Sequence, residues 1–155
     1  ATTGRFGGRK PNIITSLELR SEEMEIINLR IQEKYKKIEE SEVRFEEYML
    51  DDAEYAIVAF GSAARIAKKS IEIARSQGIK VGLLRPITLW PFPTKEVQKL
   101  AGKVKGILSL EINAGQMVED IRLAVEGKVP VQHFGRLGGI IPDPDEVVDA
   151  IKRLF

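Results

Sequence analysis

Between Tyr55 and the end of the chain, short apolar runs alternate with helically patterned stretches, and this alternation most restricts the fold. Ala56–Phe60, Lys80–Leu84, Ile107–Ile112 and a run from Val129 to about Phe134 read as strands. Helical patterns fill the intervals, over Ala63–Gln77, from Thr94 to about Ala101, from about Gln116 to Glu126 and from about Pro144 to Leu154. Ser62 and Thr94 are placed as N-caps, and Gly78 as a C-terminal stop. Strands that alternate with helices cannot be joined as hairpins, so they pair in parallel and are covered on both faces. The expected class is α/β: a three-layer, mostly parallel sheet with helices on both faces, plus a long N-terminal helix.

The run Gly106–Gly127 carries the main candidate site. Its strand ends on Glu111 and Asn113, just before a helix that opens at Gly115-Gln116. In open α/β sheets, ligands and partner surfaces gather at the carboxyl ends of strands, where helix N-termini also point. Glu111 and Asn113 therefore have two readings: contact with something outside the domain, or residues that tie down the turn and cap the helix. Arg85, beside Pro86, either clamps a carboxylate or phosphate or pairs with Glu111 on the neighbouring strand, and the pairing is the expectation. Phe60-Gly61-Ser62 lacks the three-glycine dinucleotide fingerprint and any P-loop lysine, which favours a plain tight turn. The cationic loop Gly135–Gly139, with Arg136, suits a partner contact or a phosphate, or its glycines only permit left-handed backbone. His133, inside an apolar strand, is expected as a satisfied core residue, and Trp90 and Phe92 as packing or as an exposed interface patch.

Charge is uneven along the chain. Net charge is +1, so no global field favours nucleic acid or an anionic membrane. Residues 18–54 nevertheless carry 13 acidic and 6 basic side chains, while residues 55–155 carry 10 acidic and 15 basic. An acidic arm on a mildly basic globule is expected to dock on its own domain or on a partner. Within it, Met24, Ile31, Ile38 and Phe45 recur every seven residues, with Ile27 and Tyr48 on the same face. Lys34 and Ser41 interrupt the second apolar row of a coiled coil, so the pattern predicts a single long helix needing a partner surface. Residues 1–20, with Gly4, Gly7-Gly8 and Pro11, read as a linker. The predicted organisation is a linker and long amphipathic helix over 1–54 and an α/β domain over 55–155.

Cysteine is absent, so the chain offers no disulfide, thiolate zinc site, cysteine nucleophile or thiolate ligand to an iron–sulfur cluster. His133, the single histidine, makes a histidine triad or histidine metal site implausible. No apolar stretch spans a bilayer and no signal peptide is evident, so a cytoplasmic location is expected. The opening Ala1-Thr2-Thr3, without Met, reads as the interior of a longer polypeptide. The 30% charged content and absence of Cys fit a thermophilic source.

The order of strand, Gly-Ser-helix, strand, Arg85–Pro93 (RPITLWPFP), strand with Glu111-x-Asn113-x-Gly115-Gln116, and Gly135-Arg136-x-Gly138-Gly139 resembles the transketolase C-terminal-like domain. More narrowly, it resembles that domain in the α-type subunit of 2-oxoacid:ferredoxin oxidoreductases. Gly8–Asn12 and the helix segment Ile31–Tyr35 are similar to branched-chain, 2-oxoisovalerate-type members. The resemblance implies a parent complex that uses thiamine diphosphate, magnesium and iron–sulfur clusters to convert a 2-oxoacid to acyl-CoA with coenzyme A. It implies as partners an upstream pyrimidine-binding domain, a thiamine diphosphate-binding β-type subunit, an iron–sulfur subunit and ferredoxin. This domain is then a scaffold. The chain lacks the Gly-Asp-Gly…Asn motif that binds the diphosphate's metal, so no catalytic, cofactor-binding or metal-binding residue is carried over. Arg85, Glu111, Asn113, Gln116 and Arg136 are expected at an interface with a partner domain or subunit.

Two other readings remain open. One is the equivalent domain of another thiamine-dependent enzyme, a 2-oxoacid dehydrogenase β subunit or a transketolase, which ferredoxin reduction would discriminate. The other is a stand-alone anion- or nucleotide-binding module using the Gly61-Ser62 turn or the Gly135–Gly139 loop.

Overall fold

A computed structural model of the chain describes residues 6–11, 13 and 17–154. The chain divides into two compact units, residues 1–37 and 38–155. In the first unit, Phe6–Gly8 forms a single 3-10 turn, and helix α1 (Ser21–Ser41) begins. Glu22 and Glu23 in its first turn oppose the positive end of the helix dipole. No residue of α1 is fully buried; Met24, Ile27, Ile31 and Ile38 are half-buried, while Ile26 and Leu29 are exposed. Of the Gly8–Asn12 segment, Asn12 lies outside the described residues, as do residues 1–5 of the expected linker.

The second unit contains β1 (Phe45–Tyr48), β2 (Tyr55–Ala59), α2 (Gly61–Ser76), β3 (Val81–Pro86), α3 (Thr94–Ala101), β4 (Ile107–Glu111), α4 (Met117–Val125), β5 (Val131–Gly135) and α5 (Pro144–Lys152). The strands form one sheet in the order β1-β3-β2-β4-β5. β3, β2, β4 and β5 run parallel, and β1 closes one edge antiparallel to β3. The chain crosses from β2 to β3 on one side and returns to β4 on the other, so the carboxyl ends of β2 and β4 flank a topological switch point.

Alternation along the strands sorts side chains between two helical layers. Ile57, Val81, Leu83, Leu108 and Leu110 pack with α2 and α5 through Ala67, Ile71, Val147 and Ile151. Ala56, Val58, Leu84 and Ile107 pack with α3 and α4 through Val97, Leu100, Met117 and Ile121. Ile57 and Ile71 are wholly buried, each burial being worth roughly 1.5–3 kcal/mol. The α/β class with a mostly parallel sheet is therefore the observed one.

Several local expectations are corrected. The seven-residue pattern extended the first helix to Tyr48, but α1 ends at Ser41 and Phe45–Tyr48 is a fifth strand. Phe45 and Tyr48 fit a helical face as well as a strand, and pairing with the open edge of β3 decides between them. Ser62 does not cap α2: the helix starts at Gly61, with Phe60 as an extended N-cap residue making no side-chain bond. Thr94 is the first residue of α3 and not its cap. Gly78 does stop α2, adopting φ +84° just after the C-cap Gln77.

Acidic residues near the start of the second unit are tied to it. Glu46 pairs with Lys68 and Arg85, Asp52 with Arg75, and Glu54 with Lys105.

Candidate functional site

The carboxyl edge of the parallel sheet is built from the ends of β3, β2, β4 and β5. At its centre Glu111, the last residue of β4, is completely buried, yet all its bonding capacity is used. Oε2 accepts the backbone N–H groups of Gln116 (3.1 Å) and Met117 (2.9 Å); Oε1 accepts the N–H of Val118 (3.0 Å) and the hydroxyl of Ser109 (2.8 Å). The first turn of a helix leaves N–H groups without intrahelical acceptors, and a carboxylate is their natural partner. No side chain caps α4 from its own N-cap residue, Gln116; Glu111 does so from the strand below. Burial pushes the Glu111 carboxyl upward, but the donated hydrogen bonds outweigh it and hold the group below the usual carboxylate range.

Asn113 secures the intervening turn, its Oδ1 accepting the Gly115 N–H at 2.7 Å, with Gly115 at φ +107°. Of the two readings of Glu111 and Asn113, the geometry displays the tying and capping of the turn. Gln116 lies exposed on the rim of this edge.

Arg85 does not pair with Glu111; its Nη1 bonds Glu46 Oε2 at 2.8 Å. Strand parity explains the correction. Leu83 aligns with Ile57 and Leu108 on the α2/α5 face, so Arg85 emerges there, whereas Glu111 projects toward α4. Glu46 is held between Lys68 and Arg85, whose hydrogen bonds draw its carboxyl below the ordinary value. Arg136 is half-buried and pairs at 3.3 Å with Glu146, which also accepts the Asp143 backbone N–H in the capping box of α5. Gly138 and Gly139 have φ of +64° and +82°, the left-handed backbone foreseen for that loop.

His133 is the residue whose setting departs most from the sequence reading. It is half-buried, but its Nε2 is withdrawn from solvent without a hydrogen-bond partner, 3.9 Å from Glu111 Oε1. Glu46, Arg65 and Lys68 are functional candidates that no sequence motif singles out. The i, i+3 spacing of Arg65 and Lys68 places them on one helix face, which is legible in the sequence, whereas Glu46, the partner of Lys68, lies in a stretch that also fits a helical period.

Exposed apolar side chains flank the polar edge. Ile87, Leu89 and Trp90 (55% exposed) follow β3, and Leu137, Ile140 and Ile141 follow β5. Phe92 instead is half-buried and packs against the α3/α4 core. Among the described residues no three His, Asp or Glu side chains gather as metal ligands, and no helix is long and apolar enough to cross a membrane. The buried Glu111 carboxylate is spent on four donors of its own fold and so does not fit as a ligand to a metal–diphosphate group.

Comparison with known proteins agrees with this architecture. The chain is 46% identical over 143 residues to the ketoisovalerate oxidoreductase subunit VorB of Methanothermobacter thermautotrophicus, covering 92% of this chain and 40% of that protein. Its fold matches part of the 2-oxoglutarate:ferredoxin oxidoreductase of Magnetococcus marinus, with a TM-score of 0.75 and 20% identity over 88% of this chain and 24% of the other. It also matches an inactive split-gene transketolase tetramer, with a TM-score of 0.61 and 15% identity over 72% of this chain and 41% of the other. The chain thus spans about 40% of the length of the ketoisovalerate relative. Residues 53–147 match the model of pyruvate:ferredoxin oxidoreductase core domain II, and the chain belongs to that family.

Proposed function

We propose that this chain is the assembly domain of a 2-oxoacid:ferredoxin oxidoreductase whose substrate is a branched-chain 2-oxoacid, converted to acyl-CoA. The reaction would belong to the parent complex, with thiamine diphosphate, magnesium, iron–sulfur clusters and coenzyme A held elsewhere. The domain's neighbours would be a pyrimidine-binding domain, a thiamine diphosphate-binding subunit, an iron–sulfur subunit and ferredoxin. Identity of 46% to a ketoisovalerate oxidoreductase subunit supports the branched-chain preference.

The observation that carries the assembly role is the composition of the carboxyl edge. Exposed Ile87, Leu89 and Trp90 on one side and Leu137, Ile140 and Ile141 on the other border the polar Asn113, Gln116 and Arg136. An apolar surface rimmed by polar groups is the usual make-up of a protein–protein contact. Asn113, Gln116 and Arg136 are assigned to this docking edge, with Glu111 shaping it from beneath by fixing α4, while Arg85 turns away from it to Glu46 on the α2/α5 face.

The test is made in the full-length subunit within its native assembly. Trp90→Ala combined with Gln116→Ala should release partner subunits, read by native mass spectrometry, and lower ferredoxin reduction with ketoisovalerate, while the far-UV spectrum is kept. Intact assembly and unchanged turnover in that variant would refute the reading. Turnover with lipoyl transfer and no ferredoxin reduction would instead favour a 2-oxoacid dehydrogenase parent.

A further inference from the structure

Lys68 of α2 and Arg85 of β3 converge on Glu46 of β1, with Lys68 Nζ 2.5 Å from Oε1 and Arg85 Nη1 2.8 Å from Oε2. With Ala64 and Arg65, these two cations also line an open cavity of about 190 Å³. The charge does not balance: Arg65, Lys68 and Arg85 line the cavity, and among the described residues Glu46 is the one carboxylate paired with Lys68 and Arg85. Nor is the donor capacity used up. Glu46 engages one guanidinium nitrogen of Arg85, whose Nε is buried without a hydrogen-bond partner. Arg65 is exposed and stands one turn before Lys68, on the same face of α2. Ala64 brings the first turn of α2 into the cavity wall, and that helix begins without a side-chain cap, so its positive end adds to the local field.

We propose that this cavity is a binding site for a phosphate group. The surplus of two positive charges matches a dianion. Donors approach from both α2 and β3, which suits a tetrahedral group with several terminal oxygens, and Glu46 already occupies the two-oxygen chelate that another carboxylate would need. The site lies on the α2 face of the sheet, and its occupation does not depend on whether the carboxyl edge docks a neighbouring domain.

The experiment follows the Arg85 side-chain Nε–H by ¹H–¹⁵N correlation in the full chain during titration with inorganic phosphate at constant ionic strength. Sodium acetate and sodium chloride serve as parallel titrants. The expected result is a saturable shift with phosphate, at least about tenfold tighter than with acetate, that Arg65→Ala weakens by about threefold or more. Glu46→Gln should tighten phosphate binding, because it removes the competing negative charge; damage to the fold would act in the opposite direction. A shift that fails to saturate, that acetate or chloride reproduces equally, or that Glu46→Gln weakens overturns the proposal.

Discussion

Glu111 and His133 face each other across β4 and β5, with Oε1 and Nε2 3.9 Å apart and both withdrawn from solvent. An imidazole lone pair aimed at an ionised carboxylate would be repelled, whereas an N–H there is attracted. When uncharged, the His133 ring is therefore expected to carry its proton on Nε2. Long-range ¹H–¹⁵N correlation should show that tautomer in the parent chain and a loss of the preference in Glu111→Gln. A proton on Nδ1 in the parent would refute this account of the pair.

Glu111 should contribute strongly to stability near neutrality. Glu111→Gln keeps one acceptor oxygen but turns an amide N–H₂ toward backbone donors, and is expected to cost about 2–3 kcal/mol in urea unfolding at pH 7. Hydrogen bonds hold the folded carboxyl below the ordinary glutamate value. Its stabilisation is thus fully present above that value and disappears as pH falls through the lower folded value. The gap between parent and variant should narrow on acidification below about pH 4.5. A constant gap down to pH 2 would show that the carboxylate's charge is not what fixes α4.

Glu111 and Arg85 show how far the sequence could be read. The class, the strand–helix order and the placement of Glu111 at a strand end all follow from local pattern, because apolar period and turn residues are short-range signals. Which face a strand-end side chain takes requires the register between strands. Arg85 was expected to meet Glu111, yet the alignment of Leu83 with Ile57 and Leu108 puts Arg85 and Glu111 on opposite faces. β1 was hidden for a related reason: Phe45 and Tyr48 satisfy a helical period locally, and the free edge of β3 that recruits them lies far along the chain. The Lys68–Glu46–Arg85 cluster inherits that blindness, since it needs both the edge strand and the parity.

Two glycines are expected to be irreplaceable for steric reasons rather than for backbone freedom. A Cβ on Gly135 would meet the Asn113 carbonyl oxygen and approach the His133 ring atoms Cε1 and Nε2 at 2.7 and 2.9 Å. On Gly82 it would press on the Met49 carbonyl and on Leu50 Cδ2, at 2.6 Å for the latter. Backbone cannot move aside as a flexible side-chain tip can, so Gly135→Ala and Gly82→Ala should each lose about 1–3 kcal/mol. The Gly135 variant should also shift the Asn113–Gly115 amide resonances, while the Gly82 variant should disturb β1 instead. Interchanged patterns of disturbance would contradict the packing described.

Arg75 joins the end of α2 to the β1–β2 connection through two kinds of contact whose weights can be separated. Its Nε donates to the Val81 carbonyl at 2.8 Å and Nη2 to the Met49 carbonyl at 2.7 Å, while Nη1 and Nη2 also reach Asp52. The hydrogen bonds from Arg75 hold the Asp52 carboxyl below its ordinary value, but Asp52 is exposed, and exposed ion pairs contribute little. The carbonyl bonds are expected to weigh more, because one of them holds Met49, which sits in left-handed backbone at φ +52°. Arg75→Lys keeps the charge but loses the planar fork, and should cost about 1–2 kcal/mol. Asp52→Asn should leave the urea midpoint essentially where it is in the parent. If Asp52→Asn proved as damaging as Arg75→Lys, the ion pair and not the carbonyl fork would be what fastens this connection to α2.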